Sequence, residues 1–150
     1  MDDSVLRKVA ETAVALSGMG EGAILAVGEF PTEHVKWSET RYDVPVTSIQ
    51  DIDPCALAEC AKLDGATFIS QTGYIRRYNV KVKFTPEPDP LPEVFDGRGS
   101  RHETAVKLAY TAPGTVVVVV SENGGISIVS ASCAEGSEET EPVVTAVADL

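Results

Sequence analysis

Basic residues, histidines and cysteines are all scarce in this chain. Twelve Lys and Arg stand against 23 Asp and Glu, a formal charge of −11 over 150 residues. So acidic a chain repels phosphate backbones, and nucleic acid is not expected as a partner of this chain alone. The three cysteines, Cys55, Cys60 and Cys133, form no CxxC pair, and their odd number argues against a disulfide framework. Cys55 and Cys60 are expected as small apolar residues of one helix. Two histidines, His34 and His102, are too few to suggest a structural zinc site. No apolar run approaches the roughly 20 residues of a membrane helix. The longest, Val116 to Val120, has the length of a buried strand. The first residues, Met1-Asp2-Asp3, are acidic where a secretory signal carries positive charge. The expected compartment is the cytoplasm, with no membrane partner.

What is present suffices for a folded domain. Hydrophobic residues make up 43%, and a chain of this length buries about two-thirds of its unfolded surface. Asp2 and Ser4 can cap a helix whose apolar residues, from Val5 to Leu16, recur at helical spacing, with Gly18 as its stop. Ala23 to Val27 reads as a buried strand. Glu29 to Gln50 is mixed and predicts no element. Asp53-Pro54 opens a second helix running to about Lys62. Strands are predicted at Ala66 to Ser70 and, after the Gln71-Thr72-Gly73 turn, at Tyr74 to Phe84. Pro86, Pro88, Pro90 and Pro92 then stiffen a loop that neither a helix nor a central strand could hold. A helix follows from about Arg101 to Tyr110. Thr115 to Val120, a β-branched run, reads as a strand covered on both faces, and Asn123-Gly124-Gly125 turns it into a last strand, Ile126 to Val129. Helices alternating with strands and two tight hairpins predict an α/β fold, a mixed central β-sheet flanked by helices. One domain is expected over 1–133. Residues 134–150 carry five acids and no base and read as an acidic C-terminal tail, flexible unless Val143 to Val147 pairs as an edge strand.

The charge is unevenly placed. Seven of the twelve bases lie between Arg76 and Lys107 against five acids, so that window is +2 and the rest of the chain −13. A small anionic ligand suits such a patch, but from charge alone solvated strand and helix faces account for it more simply. Gly18, Gly20 and Gly22 form a GxGxG string in the order helix, glycines, strand. A phosphate cradle needs strand, glycines, helix, so this string is not read as one. Asp96-Gly97-Arg98-Gly99-Ser100-Arg101-His102 has the required polarity. Its glycines let backbone N–H groups approach an anion, the helix start adds partial positive charge, and Ser100, Arg98 and Arg101 offer donors. A plain helix start with Ser100 as its cap fits the spacing as well. Asp64-Gly65-Ala66, at a helix-to-strand junction, and Ser121-Glu122, past the carboxyl end of a strand, are the other places where a carboxylate could serve a metal or a proton.

Taken in this order, Leu63-Asp64-Gly65-Ala66, Gly99-Ser100-Arg101-His102 and Val120-Ser121-Glu122, with Tyr74 to Val80 as the strand between the first two, resemble the diadenylate cyclase (DAC) family, the DisA N-terminal nucleotide-binding domain. The resemblance spans roughly residues 3 to 131. It implies the DisA-like fold and condensation of two ATP into cyclic di-AMP and two pyrophosphates with Mg²⁺ or Mn²⁺. Two copies would meet with their active sites face to face. It further implies that Asp64 activates the 3′-hydroxyl directly or through the metal, and that Gly65 and Ala66 line the nucleotide. Gly99, Ser100, Arg101 and His102 would hold phosphates, with Ser121 and Glu122 beside them and Asp64 and Glu122 near the metal. The sequence departs from the family where its motif ends in Arg and this chain has Glu103, an anion on the phosphate side unless Arg98 or a metal compensates. That departure motivates the alternative of a catalytically weak nucleotide-binding or sensor module on the same fold. A Ser-His-Asp hydrolase from Ser100, His102 and Asp64 fits poorly, because residues at i and i+2 on a helix start rarely meet in triad geometry.

Overall fold

The computed structural model describes residues 2–31, 33–37, 47–63, 65–85, 99–132 and 143–149. Helix α1, Asp3–Met19, starts where the Asp2 carboxylate accepts the Ser4 N–H at 3.0 Å. Its buried residues Val5, Val9, Thr12, Ala13 and Leu16 form one stripe. It ends at Gly20, two residues later than expected. Gly20 takes the left-handed conformation, φ 70°, and its N–H and that of Glu21 close on Ser17 and Leu16 carbonyls. Gly18 lies inside the helix, with open space where a Cβ would be.

Strand β1, Ala23–Val27, is buried along its whole length. The short strands β2, Val35–Trp37, and β3, Thr47–Ser48, fall in the stretch for which the sequence predicted no element. Helix α2, Pro54–Ala61, is capped by Asp53, whose carboxylate accepts the Cys55 N–H at 3.0 Å. Cys55 and Cys60 lie on this helix but are exposed, a correction to the apolar role expected of them. Leu57, Ala58 and Ala61 supply the buried face, and the cysteines lie outside it. Strand β4, Ala66–Ile69, follows.

The strand expected over Tyr74 to Phe84 is two strands: β5, Tyr74–Val80, and β6, Val82–Phe84. β5 stays in the main sheet, whereas β6 pairs antiparallel with β2 in a separate two-stranded sheet. A bulge in β5 lies just before that division. Ala66 pairs with Val80 and Phe68 with Arg77, so β5 carries one residue more than β4 between those pairs. Asn79, at φ 50°, sits in that irregularity, and its Nδ2 donates to the Cys60 carbonyl at 2.6 Å.

Helix α3 runs Ser100–Thr111, and strands β7, Val116–Val120, β8, Ile126–Ser132, and β9, Val143–Asp149, complete the fold. The main sheet has seven strands in the order β3-β5-β4-β1-β7-β8-β9. Only the β1–β4 pair is parallel, which makes it the mixed sheet expected. Alternate residues feed two cores. Leu25, Val27, Val118 and Val120 pack with α1 and α2, whereas Ile24, Ala26, Val117 and Val119 pack with α3. The continuous apolar reading of Val116 to Val120 follows from this double cover. Of the stretch beyond Cys133, residues 133–142 lie outside the described residues. Val143–Asp149 forms the edge strand that its valines allowed, pairing antiparallel with β8.

Candidate functional site

The register of the sheet gathers four strand ends. β1 and β4 are parallel, with Ile24 opposite Ala66, so Gly22 and Gly65 lie at the same end. β7 is antiparallel to β1, with Val120 opposite Ala23, which brings Ser121 and Glu122 to that end as well. β5 is antiparallel to β4, with Val80 opposite Ala66, and adds Lys81. The first turn of α3 completes a cleft of about 240 Å³ lined by Ile24, Gly65, Ala66, Val80, Lys81, Val82, Ser100, Arg101 and Thr104. Its floor is apolar, and its lining holds two cationic side chains and no carboxylate among the described residues. A ligand with a flat apolar part and an anionic part matches that division.

Gly65 is there because nothing larger fits. Its φ is 115°, and a Cβ would stand 2.6 Å from the Asn79 carbonyl carbon and 2.8 Å from the Asn79 and Val80 oxygens. The tripeptide's glycine thus rests against the bulged end of β5. Asp64, the carboxylate of that tripeptide, lies outside the described residues, as do Arg98 and the other residues of 86–98.

At α3 the cap is Gly99, with extended backbone and no side-chain cap bond. Ser100 is the first helical residue, not the cap, so its side chain does not close the helix start. The first N–H groups of α3 and its positive dipole end face the cleft that Ser100 and Arg101 line. Arg101 Nη1 and Nη2 both donate toward Glu122 Oε1 at 3.5 Å. Glu122 meets the cleft through that guanidinium. Ser121 serves the β7–β8 turn, where its N–H donates to the Gly125 carbonyl at 2.8 Å and its hydroxyl bonds Asn123 Oδ1. His102 is buried, 7% exposed, and lies off the cleft lining.

Glu103 Oε1 lies 3.4 Å from Lys107 Nζ, one turn along α3, and does not line the cleft. Lys107 in turn sits 5.8 Å from the centre of the Phe84 ring. Besides the apolar Ile24, Val80 and Val82, two polar lining residues, Lys81 and Thr104, were not among the site residues expected from the sequence. Thr104 is four residues after Ser100 and so shares its helical face, a signal that was available. Lys81 was visible only as one charge of the basic window, because its place at the cleft follows from the pairing of β5 with β4.

Residues 12–133 match the family described as the DisA bacterial checkpoint controller nucleotide-binding domain, DAC. The chain belongs to this diadenylate cyclase family. No curated protein matches it. Solved structures that share its fold include the following two. One is of DacA from Staphylococcus aureus, at 20% identity and a TM-score of 0.54, with 84% of this chain and 81% of that one covered. The other is of a protein from Bacillus cereus described as a hypothetical membrane spanning protein, at 21% identity and a TM-score of 0.56. There the match covers 80% of this chain and 56% of that one. No helix among the described residues is long and apolar enough to cross a membrane.

Proposed function

We propose that this domain condenses two ATP molecules into cyclic di-AMP with release of two pyrophosphates, as a pair of copies whose clefts face each other. The observation that carries the reading is the convergence of Gly65-Ala66, Lys81 and the side-chain-uncapped start of α3, with Ser100 and Arg101, on one cleft. In each half-reaction a 3′-hydroxyl oxygen attacks the α-phosphorus of the other nucleotide, the bond to the bridging oxygen breaks, and pyrophosphate leaves. Such a transfer needs in-line placement and neutralised charge more than covalent help. Arg101, Lys81 and the α3 N-terminus supply that charge, and Ser100 adds a hydroxyl donor. Gly65 and Ala66 bring backbone close to the nucleotide. Asp64 takes the proton of the 3′-hydroxyl.

The donors at this end of the sheet suit a hard divalent ion. Glu122 carries an oxygen-donor side chain, 72% exposed, and Asp64 would supply a second carboxylate. Among the described residues no group of three His, Cys, Asp or Glu side chains could hold a metal, so substrate phosphates would complete the coordination. Mg²⁺ or Mn²⁺ bound there would neutralise phosphate charge and favour the 3′-alkoxide. The pairing of Glu103 with Lys107 favours an active enzyme over the weakened binding module, since it draws that carboxylate along the helix and off the cleft lining.

Incubation with ATP and Mg²⁺ or Mn²⁺, with products resolved by chromatography, tests the reading. Cyclic di-AMP and pyrophosphate at a specific activity that rises with protein concentration are expected. ATP binding without product would support the weak module, and activity from a species that light scattering shows to be monomeric would overturn the facing-cleft arrangement.

A further inference from the structure

The three glycines before β1 have three different reasons. Gly20 needs its left-handed backbone, and Gly18 has open space around it. Gly22 has neither: its φ is not positive, it is buried, and what replaces a side chain is the Arg101 guanidinium. A Cβ on Gly22 would stand 2.5 Å from Arg101 Nη1, 2.6 Å from Cζ and 3.0 Å from Nε. The same guanidinium reaches Glu122 at 3.5 Å on the far side of β1 and lines the cleft.

We propose that Gly22 is a positioning residue for the nucleotide site: the missing side chain is the seat of the Arg101 guanidinium, and Glu122 holds it there from beyond β7. This rests on the reading of Arg101 as a phosphate donor and deepens it. The GxGxG string is then not a cradle for phosphate itself; its last glycine seats the side chain that meets phosphate. Arg101 is half-buried at the helix start, and its reach is long enough to leave the site in several directions. A guanidinium recognises phosphate oxygens through a rigid fork of donors, so its orientation matters as much as its charge. The three atoms nearest a Cβ at position 22 all belong to the tip of a flexible side chain, so the guanidinium would swing away while the fold stays.

That gives a signature which a merely structural glycine would lack: binding changes without stability. The test compares wild type, Gly22→Ala, Arg101→Ala, the double variant, and Gly18→Ala as the control with open space around it. ATP affinity should fall about tenfold in Gly22→Ala, the worth of one well-aimed hydrogen bond to a charged group. It should not fall further when Gly22→Ala is added to Arg101→Ala, and Gly18→Ala should bind like wild type. Urea midpoints of wild type and Gly22→Ala should coincide. In parallel, the Arg101 Nε–Hε NMR signal, assigned by its loss in Arg101→Ala, should shift and exchange faster in Gly22→Ala without any nucleotide present. An unmoved Nε–Hε signal overturns the proposal, as does a Gly22→Ala loss that persists undiminished without Arg101. Should wild type bind no ATP, the functional reading falls, and the NMR comparison still decides whether Gly22 seats the guanidinium.

Discussion

Both terminal nitrogens of Arg101 reach for one oxygen of Glu122, at 3.5 Å, across the end of β1. The arginine side chain is 34% exposed and the glutamate 72%, so water screens the pair and it contributes about 0–1 kcal/mol to folding. Its value lies in holding a cation beside a carboxylate at the cleft. Glu122→Gln should leave the urea midpoint nearly unchanged while lowering cyclic di-AMP formation by about 10–100-fold, as loss of a group that orients a metal or its ligands does. Wild-type turnover in this variant would remove Glu122 from the site.

Asp64→Asn keeps the shape of the side chain and removes its basicity. Product formation should fall by about 10²–10⁴-fold, the contribution of a positioned proton acceptor. The far-UV circular dichroism spectrum should match wild type. Product appearing near the wild-type rate would reassign the proton to another group.

Gly65→Ala meets backbone instead of a movable tip. The Asn79 carbonyl carbon at 2.6 Å and the Val80 oxygen at 2.8 Å cannot swing aside without undoing the β4–β5 bulge, and φ 115° is itself hostile to a side chain. A loss of about 2 kcal/mol or more is expected in urea unfolding, together with loss of nucleotide binding. A stable, active Gly65→Ala would show that the bulge adapts.

Glu103→Arg exchanges an i, i+4 attraction to Lys107 for a repulsion. Each is worth a few tenths of a kcal/mol on a helix surface, so stability should drop slightly. ATP affinity should change by less than about tenfold, because the residue does not line the cleft. A larger gain, measured by titration calorimetry, would mean that the native carboxylate opposes the nucleotide.

A chain ending at residue 142 loses β9, which pairs with β8 at six positions. At about 0.2–1 kcal/mol per cross-strand pair the truncation should lower the urea midpoint measurably, and it turns β8 into an edge that invites association. Acidity alone suggested that this stretch could be spared. An unchanged midpoint with light scattering unchanged from the full chain would restore that view.

What the sequence determined by itself is what short-range physics controls. Asp2 and Asp53 announce helix starts because a carboxylate two residues before an N–H caps it locally, and Ala23 to Val27 and Val116 to Val120 announce strands because a fully apolar run needs cover on both faces. The motif pieces around Gly65, Ser100 and Glu122 were legible for the same reason: each is a short string of residue types. The tertiary structure alone decided how they meet. The Tyr74 to Phe84 run divides at Lys81, where β5 stays with β4 in the main sheet and β6 pairs with β2 instead. Gly22 lies under Arg101, and Val143–Asp149 joins the sheet, through contacts between residues that local propensity treats independently. Side-chain direction and strand order are set by packing across the whole sheet, and no window of a few residues contains that energy.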